Sequence, residues 1–371
     1  MKRAIFTTAA AALLAVACCG GGEQQAPVKN VIFMIGDGMG LAHVTATMIE
    51  QGYAPMAMER AQAVGLVKTY SADNRVTDSG ASASAYATGF KCRNSVLSVD
   101  ADDNPLTTIA ELAHEAGKGT GFAVTCGINH ATPSAFFTHS GKRSDYGAVA
   151  HQLAEGFADV MLGGGALHSK SDSTDYTEVF AAAGYTVVTS PEQLDTLHSG
   201  RVAGLFGDGH MPMLAGRWVK AGEERDSLYL LKATNKALEI LNNDFAREGF
   251  FLVVEGSLID YGAHDKDTEG LLAEMRDFDR AVAAAFDFAD SHPGTLVVVT
   301  ADHETGGLSI PSGNSDFTLS ESGIRYVYGT GSHTGTMVPL FAYGAGAERF
   351  SRVMENTEVN RIAVELLGLG R

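Results

Sequence analysis

The chain has 371 residues, and 27 Lys and Arg against 44 Asp and Glu give it a formal net charge of −17 at pH 7. So acidic a chain offers no basic patch, which argues against nucleic acid as a dedicated partner; small anionic substrates stay open, because bound cations can invert a local field. With four cysteines and no CxxC spacing, any metal must be held by His, Asp and Glu.

The first 22 residues read as a targeting segment. Lys2 and Arg3 precede an apolar run, Ala4–Ala17, interrupted only by Thr7 and Thr8. That run is too short to span a bilayer and fits a secretory signal. A cysteine closing it resembles a bacterial lipobox, with Cys18 as the expected lipid-bearing residue and Cys19 as the alternative; plain signal cleavage is the simpler option. Gly20–Ala26 would then be a tether. The expected product is exported, either periplasmic or anchored in the outer membrane. Loss of Lys2 and Arg3 takes the formal charge from −17 to −19. About 350 residues remain, enough for one large domain over 23–371. Cys92 and Cys126 are left in it and could pair in an oxidising compartment.

In chain order, short apolar runs predict buried strands at Val31–Ile35, Thr120–Thr125, Phe250–Gly256 and Thr295–Asp302. Weaker strand signals lie at Tyr185–Thr189, Val202–Gly207 and Met337–Gly344. Helical periodicity occupies Thr108–Lys118, Ser227–Asn243 and Leu271–Asp290 between them. Strands alternating with helices predict an α/β fold: a three-layer α/β/α sandwich around a mostly parallel sheet. The polar, Gly- and Ser-rich stretch Pro311–Thr334 reads as a loop within a small insertion at about 305–332.

Polar clusters follow four of these strands: Asp37 after Ile35, Asn129 to Thr132 after Val124, Glu255, and Asp302 with His303. In open α/β sheets the ligand crevice lies outside the carboxyl ends of the strands. Asp260 and His264 are four apart and share a face on a helical turn. Asp302 and His303 are adjacent and can both face a crevice only where the strand ends and the chain turns. His333 sits in a Gly-rich turn, "GTGSHTGT". Imidazoles with carboxylates suit Zn²⁺, and an all-oxygen set suits Mg²⁺.

Taken singly, each signal has a plain reading: a surface Asp–His pair, a capped turn, a solvated loop histidine. The stretch "TDSGASASAYATGFK", Thr77–Lys91, is made almost wholly of tiny residues and predicts a closely packed helix. Ser79 at its head would meet free N–H groups and the positive end of the helix dipole, which favour an anion. No G-x-S-x-G elbow surrounds it, so metal coordination is the expected way to activate its hydroxyl. Lys142 and Arg143 in "HSGKRSDYG" offer a point charge and a planar fork for phosphate.

Together, "GDGMG", "TDSGASASAYATG", "HATP", "VEGSLID", "TADHETGG" and "GSHTG" occur in one order and closely resemble the alkaline phosphatase family from about Lys29 onward. The resemblance implies hydrolysis of phosphate monoesters with Ser79 as the nucleophile that becomes phosphorylated. It implies a first zinc on Asp260, His264 and His333, and a second on Asp37, Asp302 and His303. A third ion, usually Mg²⁺, would be shared by Asp37, Thr132 and Glu255, and Arg143 would clamp the phosphoryl oxygens. His130 and Tyr261 occupy the two variable positions beside the metals, where many bacterial members carry Asp and Lys. A neutral His130 removes a charge beside the third ion and opens that site to Zn²⁺; Tyr261 cannot supply the charge of a lysine. Only 29 residues separate His303 from His333, so a small capping loop, an open cleft and a homodimer with a modest interface are expected. The rivals are a phosphodiesterase of the same superfamily and a zinc-binding lipoprotein without turnover. A sulfatase is disfavoured, because Ser79 is not followed by x-Pro-x-Arg.

Overall fold

The computed structural model describes residues 27–165, 174–219, 222, 225–313 and 323–370. The expected signal segment with Cys18 and Cys19, the tether and the centre of the expected insertion lie outside them. The first half contains β1 (Asn30–Gly36), α1 (Leu41–Glu50), β2 (Ala63–Lys68), α2 (Ser79–Thr88), α3 (Ile109–Glu115), β3 (Gly119–Gly127), α4 (Ala131–Phe137), α5 (Tyr146–Glu155) and β4 (Val160–Gly164). Then come α6 (Tyr176–Ala182), β5 (Thr186–Val188), α7 (Pro191–Asp195), β6 (Val202–Leu205), α8 (Tyr229–Asp244), β7 (Phe250–Gly256), α9 (Leu258–His264), α10 (Thr268–Ser291) and β8 (Thr295–Thr300). Four two-residue strands follow: β9 (Glu304–Thr305), β10 (Leu308–Ser309), β11 (Val327–Tyr328) and β12 (His333–Thr334). The chain closes with β13 (Val338–Gly344), β14 (Val353–Glu355) and α11 (Asn356–Leu366).

Ten strands form one sheet in the order β14-β2-β13-β8-β1-β7-β3-β4-β6-β5. β13 runs antiparallel to both neighbours, β8 and β2, and the remaining pairings are parallel. β1, β3, β7 and β8 are buried along their whole length. That burial on both faces is why they read as continuous apolar runs, not as alternating ones.

The parity of β1 shows the layers. Phe33 meets Tyr86 of α2 and Phe136 of α4, with ring centroids 5.3 and 5.8 Å away. A Cβ on Gly36 would lie against Phe278 of α10. Residues of opposite parity face opposite sides of a strand, so α2 and α4 cover one face and α10 the other. The expected α/β sandwich with a mostly parallel sheet is what forms. Among the described residues no helix is long and apolar enough to cross a membrane.

Three strands of the ten-stranded sheet carried no sequence signal. β2 alternates buried and exposed residues around a glycine, β4 ends in two glycines, and β14 has only three residues. The stretch expected as loop after Pro311 instead contributes β11 to a ladder with β10, and β12 to a ladder with β9. Two-residue strands are too short to show a period. Cys92 and Cys126 are both free and buried, so no disulfide joins them.

Candidate active site

The four strands whose ends carry polar clusters are neighbours in the sheet, in the order β8-β1-β7-β3. Their register is level: Ile35 lies opposite Thr300 on one side and Glu255 on the other, and Glu255 lies opposite Val124. Asp302 and His303 past β8, Asp37 past β1, Glu255 on β7 and Thr132 just past β3 are thereby delivered to one edge.

Asp37 lies in the turn after β1. Gly38 beside it has φ +71°, and a Cβ there would come 2.8 Å from Asp260 Oδ1 and from Thr305 Oγ1. Only glycine allows the approach, which gives the "GDG" spelling its reason. Asp302 Oδ1 accepts from the Gly38 and His303 backbone N–H groups, both at 3.0 Å. His303 Nε2 lies 3.1 Å from Asp302 Oδ2 and 3.5 Å from Asp37 Oδ1. Past the end of β8 the two adjacent side chains do converge.

The second cluster is built on α9 and β12. His264 Nε2 lies 3.2 Å from Asp260 Oδ2 and 3.1 Å from His333 Nε2, and His333 Nε2 lies 3.8 Å from Asp260 Oδ1. Backbone carbonyls orient both imidazoles: His264 Nδ1 is 2.8 Å from Gly331 O and His333 Nδ1 is 2.9 Å from Thr77 O. Each ring therefore turns Nε2 toward the cluster. The His303 and His333 rings stack, with centroids 3.5 Å apart, and bring the two clusters into contact.

Ser79 is the first residue of α2, and its Oγ lies 3.3 Å from His303 Nε2. The helix is held from several sides. Asp78 caps it through Ala81 N (2.9 Å), Asn360 Nδ2 donates to Tyr86 O and Ala87 O, and Gly89 ends it with φ +75°. All ten of its residues are buried. A Cβ on Gly80 would stand 2.8 Å from Val96 O and 3.3 Å from Arg143 Cδ. Arg143 Nη1 donates to Asp78 Oδ2 at 2.8 Å, beside Ser79, whereas Lys142 is exposed.

Neither carboxylate oxygen of Asp37 has a hydrogen-bond partner, nor do the buried Glu255 Oε1 and Thr132 Oγ1. Burial pushes the Asp37 carboxyl well up, and the charges of Asp302, Asp260 and Glu255 push it further. Burial likewise raises Glu255 to about 7. Burial opposes ionisation of Asp260 too, but the hydrogen bond from His264 and the nearby imidazoles outweigh it and hold the group low. The hydrogen bond to Asp260 lifts His264 to about 9. Carboxylates this buried, crowded and poorly hydrogen-bonded stay ionised only beside cations. Two sets, Asp260 with His264 and His333, and Asp37 with Asp302 and His303, bring their ligand atoms within 4.8 Å of one another. The nitrogen and oxygen donors of both sets fit zinc, and the oxygens of Asp37, Thr132 and Glu255 fit a hard ion.

His130 N-caps α4, and its ring meets that of His210 edge-on with centroids 5.0 Å apart. Tyr261 Oη lies 2.9 Å from His210 Nε2. Four contributors were not among the expected site residues: Asp78, which holds Arg143; Thr305, which bonds Asp260 and His303; His210; and Cys126, whose thiol donates to Glu255 Oε2 at 3.3 Å. Asp78 and Thr305 stand inside motifs whose neighbours drew the attention. His210 and Cys126 belong to no motif.

A family model described as Alkaline phosphatase matches residues 28–325. Alkaline phosphatase 3 of Bacillus subtilis is 32% identical, over 90% of this chain and 88% of its own. Streptomycin-6-phosphate phosphatase of Streptomyces griseus is 36% identical, over 93% and 91%. The solved alkaline phosphatase of the Antarctic bacterium TAB5 superposes with a TM-score of 0.83 at 32% identity, over 94% of this chain and 100% of that one. Two variants of that enzyme, 30% identical to this chain with the same TM-score and coverage, were solved with Mg in the M3 site.

Proposed function

Since the chain belongs to the alkaline phosphatase family and is a metal-binding phosphatase, we propose that it hydrolyses phosphate monoesters by passing the phosphoryl group through Ser79. The observation that carries this reading is the position of Ser79: its Oγ stands 3.3 Å from the Nε2 of His303, one of the three residues of an Asp–His cluster, at the N-terminus of a buried helix.

In this reading Asp260, His264 and His333 hold one zinc ion, Asp37, Asp302 and His303 a second, and Asp37, Thr132 and Glu255 a magnesium ion. When bound, the ions lower the pKa of the attacking hydroxyl and of water, and neutralise charge on both apical oxygens of an in-line displacement. The chain's own groups do the rest. The N-terminus of α2 turns its free N–H groups toward the phosphoryl oxygens. Arg143, held by Asp78, supplies a fork that grips two of those oxygens, and grips them in any monoester. Ser79 Oγ bonds to phosphorus as the bond from phosphorus to the substrate's alcohol oxygen breaks, and the proton given up by Ser79 is matched, through solvent, by the one the alcohol takes; water then bonds to phosphorus as the bond to Oγ breaks, and a proton from that water restores the Ser79 hydroxyl. His130 and Tyr261 flank the site without ligating.

Hydrolysis of p-nitrophenyl phosphate at alkaline pH tests the reading. Chelator should abolish it, and Ser79→Ala should remove at least 10³-fold of the rate with zinc content unchanged. Activity that survives chelation, or that survives Ser79→Ala, refutes the assignment. The apolar run before Cys18 and Cys19 supports export as a lipoprotein, tested by palmitate labelling of Cys18→Ala and Cys19→Ala variants. Assembly as a homodimer is tested by light scattering.

A further inference from the structure

We infer that His210 is a positioning residue for phosphoryl binding: it fixes the direction of the Tyr261 hydroxyl, so that this phenol donates its proton to the phosphoryl group of substrate or product. The inference deepens the phosphatase reading and rests on it.

Hydrogen-bond direction carries the argument. The Gly127 backbone N–H donates to His210 Nδ1 at 3.1 Å. A backbone amide is only ever a donor, so Nδ1 must present a lone pair. The ring is then neutral with its proton on Nε2. His210 Nε2 lies 2.9 Å from Tyr261 Oη, and with Nε2 as donor the phenol oxygen is the acceptor. The phenol proton is left to point to a different acceptor. Tyr261 follows Asp260 on the same turn of α9, so its ring is carried beside a residue of the Asp–His cluster. A hydroxyl whose oxygen is held by His210 and whose proton has no acceptor among the described residues is a directed donor. A backbone amide thus sets a ring tautomer, the ring sets a hydroxyl, and the hydroxyl meets the ligand.

The backbone holds His210 for this task. Met211 N donates to Thr125 O at 2.9 Å, so the segment after β6 is strapped to the end of β3 beside Gly127. The His130 ring packs edge-on against the His210 ring and limits its rotation.

The test is a double-mutant cycle read as the inhibition constant for inorganic phosphate, with melting temperature and metal content as controls. Tyr261→Phe removes the donor and should raise the constant about tenfold, the lower end for a hydrogen bond to a charged partner. His210→Asn keeps an acceptor near Nδ1 for Gly127 but cannot reach Tyr261; it should raise the constant several-fold. In the Tyr261→Phe background, His210→Asn should change it less than twofold. His210→Gln, whose amide can accept from Gly127 and donate to Tyr261, should stay within threefold of the parent. Should His210→Asn melt far below the parent, the cycle is run with His210→Gln and His210→Phe. Independent, multiplying effects overturn the inference, as does a His210→Asn protein of normal stability with an unchanged constant. Failure of the phosphatase reading looks different: the parent itself would then show no chelator-sensitive hydrolysis.

Discussion

Glu255 offers a stability test that separates the protein's own electrostatics from those of its metals. It is fully buried at the end of β7, and burial lifts its pKa from 4.5 to about 7. For an acid raised on folding, the folded state keeps a proton that the unfolded state has already lost. Stability is therefore complete below pH 4.5, falls as pH rises toward 7, and stays reduced above it. At about 1.4 kcal/mol per pH unit the loss is about 3 kcal/mol. In a chain of this size that corresponds to about 4 °C in melting temperature. The perturbation is Glu255→Gln, compared with the parent in excess chelator by calorimetry at pH 5 and pH 8 and constant ionic strength. The parent should lose about 4 °C more than Glu255→Gln between the two values. With metals restored the sign reverses, because a cation favours the carboxylate and glutamine is the poorer ligand. Equal losses in chelator would show that Glu255 ionises without penalty and would refute the reasoning.

Three further outcomes follow from particular contacts. Arg225 Nη2 lies 2.7 Å from Glu274 Oε2 and 3.1 Å from Asp277 Oδ2, with all three side chains 1% exposed; Arg225→Met strands two buried carboxylates and should cost about 3–5 kcal/mol in denaturant titration, and an unchanged midpoint would refute that. Gly80→Ala puts a Cβ 2.8 Å from Val96 O; it should destabilise by about 1–3 kcal/mol and lower kcat by displacing Ser79, so a kcat equal to the parent's would show that α2 absorbs the methyl elsewhere. Cys92 and Cys126 should resist a thiol reagent in the native protein and both react after unfolding without reductant; if neither reacts, the two are paired.

The site was legible because its parts are local. A strand followed at once by Asp37, by Glu255 or by Asp302 and His303 is visible in a few residues, and so is the i,i+4 spacing of Asp260 and His264. Six such segments in one order carried the family resemblance, and the family match over residues 28–325 spans the first five of them. Contacts between distant segments were not legible. His210 reaches Tyr261 across 51 positions and Cys126 reaches Glu255 across 129, and neither residue has a neighbour in sequence that hints at its partner. Of the adjacent Lys142 and Arg143, the family resemblance singles out Arg143, and in the structure Asp78 holds it while Lys142 is exposed.

By itself the sequence determined which residue types were available and which elements they start or end: apolar runs made β1, β3, β7 and β8, and tiny residues made α2. Local sterics and burial decide those outcomes within a few residues. The tertiary structure alone decided the order β8-β1-β7-β3 and its level register, because strand pairing is a choice among distant partners that no local pattern encodes. That order gathers carboxylates whose mutual repulsion no isolated segment reveals. It also puts a backbone amide behind His210, which settles where a proton sits on a ring and which way the Tyr261 hydroxyl points.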